Sequence, residues 1–200
     1  MKNLLSSTLG SVWRAYVVAL ERRPLLMQML TTGTLMGAGD VMSQLGVEKK
    51  SFRKDYDPKR TVRFFALGCF YIGPILRRWF IYLEHKVHFR AFPKLAPVKR
   101  MLADQILVGP FLTSSFLILL RVLEKNDLQT SVYRWRRDFP DIFVTGLMVW
   151  PAAQLFNFYL IPLQYRILYV QTLALMWNTY LAWRTNVVPD SRPTASLIEE

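Results

Sequence analysis

Between Ile142 and Trp183 the chain carries a single charged residue, Arg166. A soluble helix bundle would expose charged faces over such a distance, and this region has none to expose. Immersion in a membrane is the stronger of two readings, the other being a helical protein with a buried core. Composition agrees with the first. Hydrophobic residues make up 52% and charged residues 20% of the 200, against roughly 25% charged in soluble proteins. One compact unit has to do everything, with no room for a catalytic domain beside an anchor.

Three earlier stretches approach the roughly 20 helical residues that a bilayer core requires. Leu25 to Val47 contains one charge, Asp40; Thr61 to Leu83 contains Arg63, Arg77 and Arg78; Met101 to Leu123 contains Asp104 and Arg121. A lipid-exposed backbone must satisfy its own polar groups, and no ten-residue alternation suggests a barrel, so the fold is all-α. Four or five crossings are both open. The run from Ile167 to Trp183 is short for a span, and Pro151 interrupts the run before it. Residues 1–186 read as one helical membrane domain and 187–200 as a polar tail. Within 1–24, Leu5, Leu9, Val12, Trp13, Tyr16 and Leu20 recur at helical spacing, giving an amphipathic helix suited to the interface. The Arg-containing, Ser-rich, acid-poor start also looks like a mitochondrial transit peptide. Trp13 and Tyr16 favour a permanent surface helix.

The net charge of +12 is concentrated in the connections, at 49–60, 86–100 and 125–137. Basic clusters that separate apolar runs suit lipid headgroups better than a phosphate backbone, which argues against direct nucleic-acid binding. Consecutive loops are about equally basic, so the positive-inside rule sets no orientation. A single cysteine, Cys69, excludes an intrachain disulfide and any Cys-based zinc site. His85 and His88 belong to a basic interfacial loop rather than a metal pair. Phosphate-loop, nucleophile-elbow and zincin motifs are absent, so neither an enzyme nor a cofactor is expected.

Polar residues inside apolar runs are costly and therefore informative. Asp40 and Gln44 lie one turn apart, with Gln28 and Thr32 further up the same run; Asp104 with Gln105, and Gln154 with Asn157, repeat the pattern. Turned inward they would line a hydrated pathway; alternatively they are interhelical hydrogen bonds that hold a bundle together. Gly33 and Gly37 form a GxxxG followed by Gly39, a small face for a tight helix contact or a homo-oligomer seam. Trp150 and Pro151 join an interface-seeking ring to a missing amide. Arg166, beside a turn at Pro162, either reaches headgroups or pairs with Asp104 or Asp40.

The block from Val149 to Phe158, with Trp150, Pro151, Gln154, Asn157 and Phe158, followed by Pro162, Tyr165-Arg166 and Trp177-Asn178, closely resembles the Mpv-seventeen and peroxisomal-membrane-protein-twenty-two family. Trp13-Arg14-Ala15-Tyr16, Leu35 to Asp40, Gln44, Gly73-Pro74, Trp79 and Asp104-Gln105 follow the family's order, so the resemblance covers about residues 13–184. Gly39-Asp40 and Trp150-Pro151-Ala152 are more like the mitochondrial than the peroxisomal branch. The resemblance implies an integral protein of the mitochondrial inner membrane, or alternatively of the peroxisomal membrane. Such proteins are described with four transmembrane helices and as weakly selective channels for small solutes. It also implies a role in mitochondrial DNA upkeep, nucleotide pools and reactive oxygen species. The competing class is a scaffold or assembly factor whose basic loops bind a nucleoid or mitochondrial ribosome.

Overall fold

The computed structural model describes residues 11, 14–86, 96–125, 127–161 and 166–187. Every regular element among them is helical. α1 covers 14–22 and gives way at Arg23 to α2, Pro24–Met42, where the proline's missing amide suits the first helical position. α2 runs on through a π turn, Ser43–Val47. α3, Pro58–Ala66, is joined by a π turn, Leu67–Ile72, to α4, Gly73–Lys86; α5, Ala96–Ala103, is joined by another, Asp104–Val108, to α6, Gly109–Leu123. α7, Leu128–Leu160, and α8, Arg166–Val187, complete the chain. The expected apolar runs therefore become five rods, α2, α3–α4, α5–α6, α7 and α8.

Two expectations change. Pro151 does not interrupt its run: α7 is 33 residues long and holds both Pro140 and Pro151 in its interior. Each proline removes only one amide, and packed neighbours let the flanking turns continue. Of the amphipathic N-terminal segment, 1–10, 12 and 13 lie outside the described residues. The part described is helical and docks on α2 through Tyr16 Oη and Thr31 Oγ1, 3.2 Å apart. The tail beyond 187 also lies outside them.

Capping chemistry fixes two helix starts. Asp57 accepts from the amides of Lys59 and Arg60, and Asp127 from that of Thr130. Direction along each rod follows from the contacts. Gly33 faces Cys69, Gly37 faces Phe65 and Gly73 faces Met29, so α2 and α3–α4 are antiparallel. α7 and α8 are antiparallel as well, with Thr145 against Tyr180 and Phe156 against Tyr169. Gly39 lies against Asn178, while Arg60 links Ser43 to the Ala182 carbonyl, so α2 and α8 run parallel. The connectors 48–57 and 124–127 consequently share one end of the bundle, called here the connector end.

Met36, Phe64, Leu67, Phe116, Leu120 and Ile142 are buried at the centre, and the Phe64 and Phe116 rings meet edge to face at 5.8 Å. Large apolar side chains also cover the outside, Phe70, Met148 and Tyr159 being about 70% exposed. A belt of that kind needs lipid. Two stretches among the described residues, Met101–Leu123 and Leu128–Phe156, are long and apolar enough to cross a membrane.

In lipid, apolar contact between helices gains little over contact with acyl chains, so close fit decides which faces meet. The small-residue face of α2 is spent inside the molecule. A Cβ on Gly39 would lie 2.6 Å from the Asn178 Cβ, one on Gly33 2.9 Å from the Cys69 Cβ, and one on Gly68 2.9 Å from the Gly33 Cα. At Gly37 the nearest atom is 3.4 Å away, and at Gly46 nothing lies within 4 Å. Gly39→Ala and Gly33→Ala are therefore expected to destabilise the protein by about 1–3 kcal/mol through overpacking, with Gly37→Ala milder and Gly46→Ala without loss. Thermal unfolding in detergent measures this order; a uniform response at all four glycines would remove the close-packing account.

Candidate functional site

Each rod carries the same sequence of environments from the connector end inward. On α2 the order is Asp40, Met36, Thr32, Gln28; on α7, Asp138, Ile142, Trp150, Gln154; on α8, Thr185, Leu181, Asn178, Gln171. Stacked across the bundle these make an ionic layer, an apolar layer and a cavity of about 330 Å³.

Arg60, at the first turn of α3, organises half of the ionic layer. Its Nη1 and Nη2 donate to the two Glu48 carboxylate oxygens at 3.0 and 2.7 Å, and its Nε lies 2.5 Å from Asp40 Oδ1. Nη2 further donates to Ser43 Oγ and the Ala182 carbonyl. The other Asp40 oxygen accepts from Gln44 Nε2 at 2.8 Å and Thr61 Oγ1 at 2.6 Å. Gln44 in turn pairs with the Asp57 backbone in both directions, donating to its carbonyl and accepting from its amide. The π turn makes this possible. It brings Ser43 and Glu48, five residues apart, to one side, where Ser43 Oγ donates to Glu48 Oε1 at 2.8 Å and the Glu48 amide donates to the Ser43 carbonyl.

The second half is built on Asp138, which accepts from Arg121, Arg137 and Arg184 and is 1% exposed. Arg184 also reaches Asp141 at 2.6 Å, and Arg121 reaches Glu124 and donates to the Thr185 carbonyl. Arg60 and Arg121 thus both end on carbonyls in the last two turns of α8, toward the negative end of the helix dipole.

The sequence-derived site residues separate accordingly. Asp40 and Gln44, expected to line a pathway, are fully buried in the ionic layer and do not face the cavity. A carboxylate this deep in the bundle is held by a paired arginine instead of by water. Gln105, Gln154, Trp150 and Trp177 do line the cavity, joined by Gln28 and Thr32. Gly33, Gly37 and Gly39 serve packing, and Pro151 lies within α7. The side chains of Asp104, Asn157, Phe158 and Arg166, and Pro162 entirely, lie outside the described residues, as does His88. Arg166 opens α8. Arg60, assigned from sequence to a headgroup-facing loop, is buried.

Gln171 and the arginine–carboxylate layer escaped the sequence reading. For Gln171 a signal existed: it stands two turns before Asn178 on one face of α8, and both line the cavity. For Arg60 and Arg121 there was none, since a basic residue at the end of an apolar run reads equally as a headgroup anchor.

Removing one partner of a buried ion pair leaves the other charge uncompensated, so Asp40→Asn should cost about 3 kcal/mol of stability. Because Asp40 does not face the cavity, the substitution should leave the permeation properties of the protein that still folds unchanged. Equilibrium unfolding in detergent measures the first and reversal potentials in a salt gradient the second. Glu48 gives a pH signature. Burial raises its pKa, but hydrogen bonds from Arg60, Lys50 and Ser43 outweigh burial and hold the carboxyl down at about 2, below an ordinary 4.5. A lowered folded-state pKa stabilises the fold above the unfolded value, and that stabilisation disappears as pH falls from 4.5 toward 2. Melting temperature should drop across this window, and Glu48→Gln should flatten the drop.

The model of the Mpv17 / PMP22 family matches residues 121–182, from the buried Arg121 through the cavity-lining parts of α7 and α8. The mitochondrial inner membrane protein Mpv17 of Mus musculus is 39% identical over 176 residues, 88% of this chain and 98% of the relative. The Homo sapiens protein of the same name is 38% identical over the same shares. Protein SYM1 of Gibberella zeae is 36% identical, again over 88% of this chain and 98% of its own. No solved structure matches the chain. Identity at this level over nearly the whole length makes the chain a mitochondrial inner-membrane member of the Mpv17 / PMP22 family.

Proposed function

We propose that the protein is a channel-like passage for small solutes, formed by the interior of a single bundle with five membrane crossings. The observation that carries this reading is the cavity, whose wall draws side chains from all five rods. A void lined from every rod is expensive to maintain in a bundle held by close packing. Gly146 maintains part of it: its nearest non-local atom is Trp177 Cη2, 3.4 Å from an added Cβ, so the indole lies against bare α7 backbone.

The apolar layer is the closed gate of this passage. Met36, Phe116, Ile142 and Leu181 line the floor of the cavity and also belong to the buried core that separates it from the ionic layer. Hydrophobic constrictions of this kind block by excluding water. Removing bulk there opens the route, so Phe116→Ala should raise solute flux several-fold, and Gly146→Leu, which fills the cavity, should lower it. Light-scattering of proteoliposomes under an osmotic gradient reads both; flux indifferent to both substitutions would sink the passage.

Five crossings rest on rod length and alternation. α8, with 22 residues, and α2 with its π turn, 24 residues from Pro24 to Val47, reach about 33 Å or more, against roughly 30 Å of hydrocarbon. An odd number places the segment before α2 and the segment after α8 on opposite faces. Tags ahead of residue 24 and after residue 187 should therefore differ in protease accessibility in mitoplasts. Equal accessibility would support four crossings.

A further inference from the structure

We propose that the cavity is a binding site for an uncharged, polyhydroxylated small solute of the polyol or sugar type. The inference deepens the passage reading and rests on it for the identity of the site, while its test is a binding measurement that stands apart from flux.

The first observation is the contrast between the two polar regions of the bundle. In the ionic layer the side chains of Asp40, Gln44 and Arg60 each hydrogen-bond or ion-pair with one another and with their neighbours. In the cavity, the carboxamides of Gln105, Gln154, Gln171 and Asn178 have no side-chain hydrogen-bond partner among the described residues, although all four are half-buried and line the wall. Four amides from three rods converge on a space that satisfies none of them. Left to water or to a ligand, each offers one acceptor oxygen and two donor hydrogens.

Charge decides the class of ligand. Among the described residues lining the cavity there is no ionisable side chain. A carboxylate or phosphate entering would shed its hydration against walls such as Leu35, Ile72 and Leu112 without gaining a counter-charge, which is the costly case. A hydroxyl both donates and accepts, as an amide does, so a chain or ring of hydroxyls can pair with four amides and leave few groups unsatisfied. The apolar C–H edge of such a solute has a matching surface too. Trp150 and Trp177 stand edge to face, with ring centroids 6.0 Å apart, and both border the cavity.

The competing occupant is an acyl chain, because much of the wall is apolar. An acyl chain would use the leucines and ignore the amides, which makes the two separable.

The test uses the full-length protein in nanodiscs, with tryptophan fluorescence as the readout and Trp150→Phe identifying the cavity signal. Erythritol is the probe; erythronate, the same carbon skeleton bearing one carboxylate, and decanol are the comparators. Erythritol should titrate the signal and erythronate should bind at least tenfold more weakly. Gln154→Leu and Gln171→Leu should each weaken erythritol binding about tenfold, the equivalent of one net hydrogen bond. Gln129→Leu, exposed at the first turn of α7, should leave it unchanged. Melting curves of each variant establish that it is folded, and two glutamines on different helices keep the result readable if one fails. Equal or stronger binding of erythronate would overturn the neutral-solute assignment. So would saturation by decanol with no response to the glutamine substitutions, or no erythritol titration at all; osmotic flux could survive either result. Erythritol binding without any osmotic flux would uphold the site and refute the passage.

Discussion

Arg60 is the residue on which the rest of the bundle hangs. It sits at the start of α3, yet its guanidinium ties together Asp40 on α2, Glu48 in the following connector and the Ala182 carbonyl near the end of α8. A membrane bundle has little hydrophobic force to choose among helix arrangements, because lipid tails satisfy apolar faces as well as other helices do. Specificity must then come from contacts that lipid cannot imitate. A planar five-donor fork meeting two carboxylates, a hydroxyl and a helix-terminal carbonyl is one such contact. The Asp138 cluster repeats the device for α6, α7 and α8. With both clusters at one end, the connector end is fixed while the opposite half of the bundle is free to enclose a cavity.

Glycine supplies the second kind of contact that lipid cannot replace. Gly33 and Gly68 let α2 and the π turn between α3 and α4 touch backbone to backbone, and Gly39 lets α8 lie equally close on another side of α2. These approaches set the positions of the larger groups. With α8 held against Gly39, Asn178 is directed to the cavity and Leu181 to the apolar layer. The ion pairs and the glycine contacts are therefore two aspects of one constraint on how the rods meet.

This layering bears on how a passage of this design would conduct. The buried charges among the described residues, Asp40, Arg60, Arg121 and Asp138, lie at the connector end in ion-paired clusters. The wall of the cavity is largely apolar, with amides, hydroxyls and aromatic rings set into it. A solute in the cavity meets no fixed charge among the described residues, so selection there depends on size and hydrogen bonding, and any preference between cations and anions has to arise at the mouths.

The sequence alone determined the membrane environment, the helical class and the family, because each depends on properties that survive without tertiary structure: run length, scarcity of charge and a linear motif. It also singled out Gln105 and Gln154, since polar residues in an apolar run have to face something other than lipid, while Trp150 and Trp177 entered only as members of the motif. It left Asp40 and Gln44 open between a hydrated pathway and interhelical hydrogen bonds, and it placed Arg60 in a headgroup-facing loop. An intramembrane carboxylate can be satisfied by water or by a cation, and which one it meets depends on a helix 20 residues away in sequence and on a π turn that no periodicity reveals. The small face of α2 was legible as a close contact, but its partner, another rod of the same chain, was not. Only the tertiary structure could decide these points, because in lipid it is shape and charge complementarity between particular helices, not the apolarity of either one, that selects the neighbour.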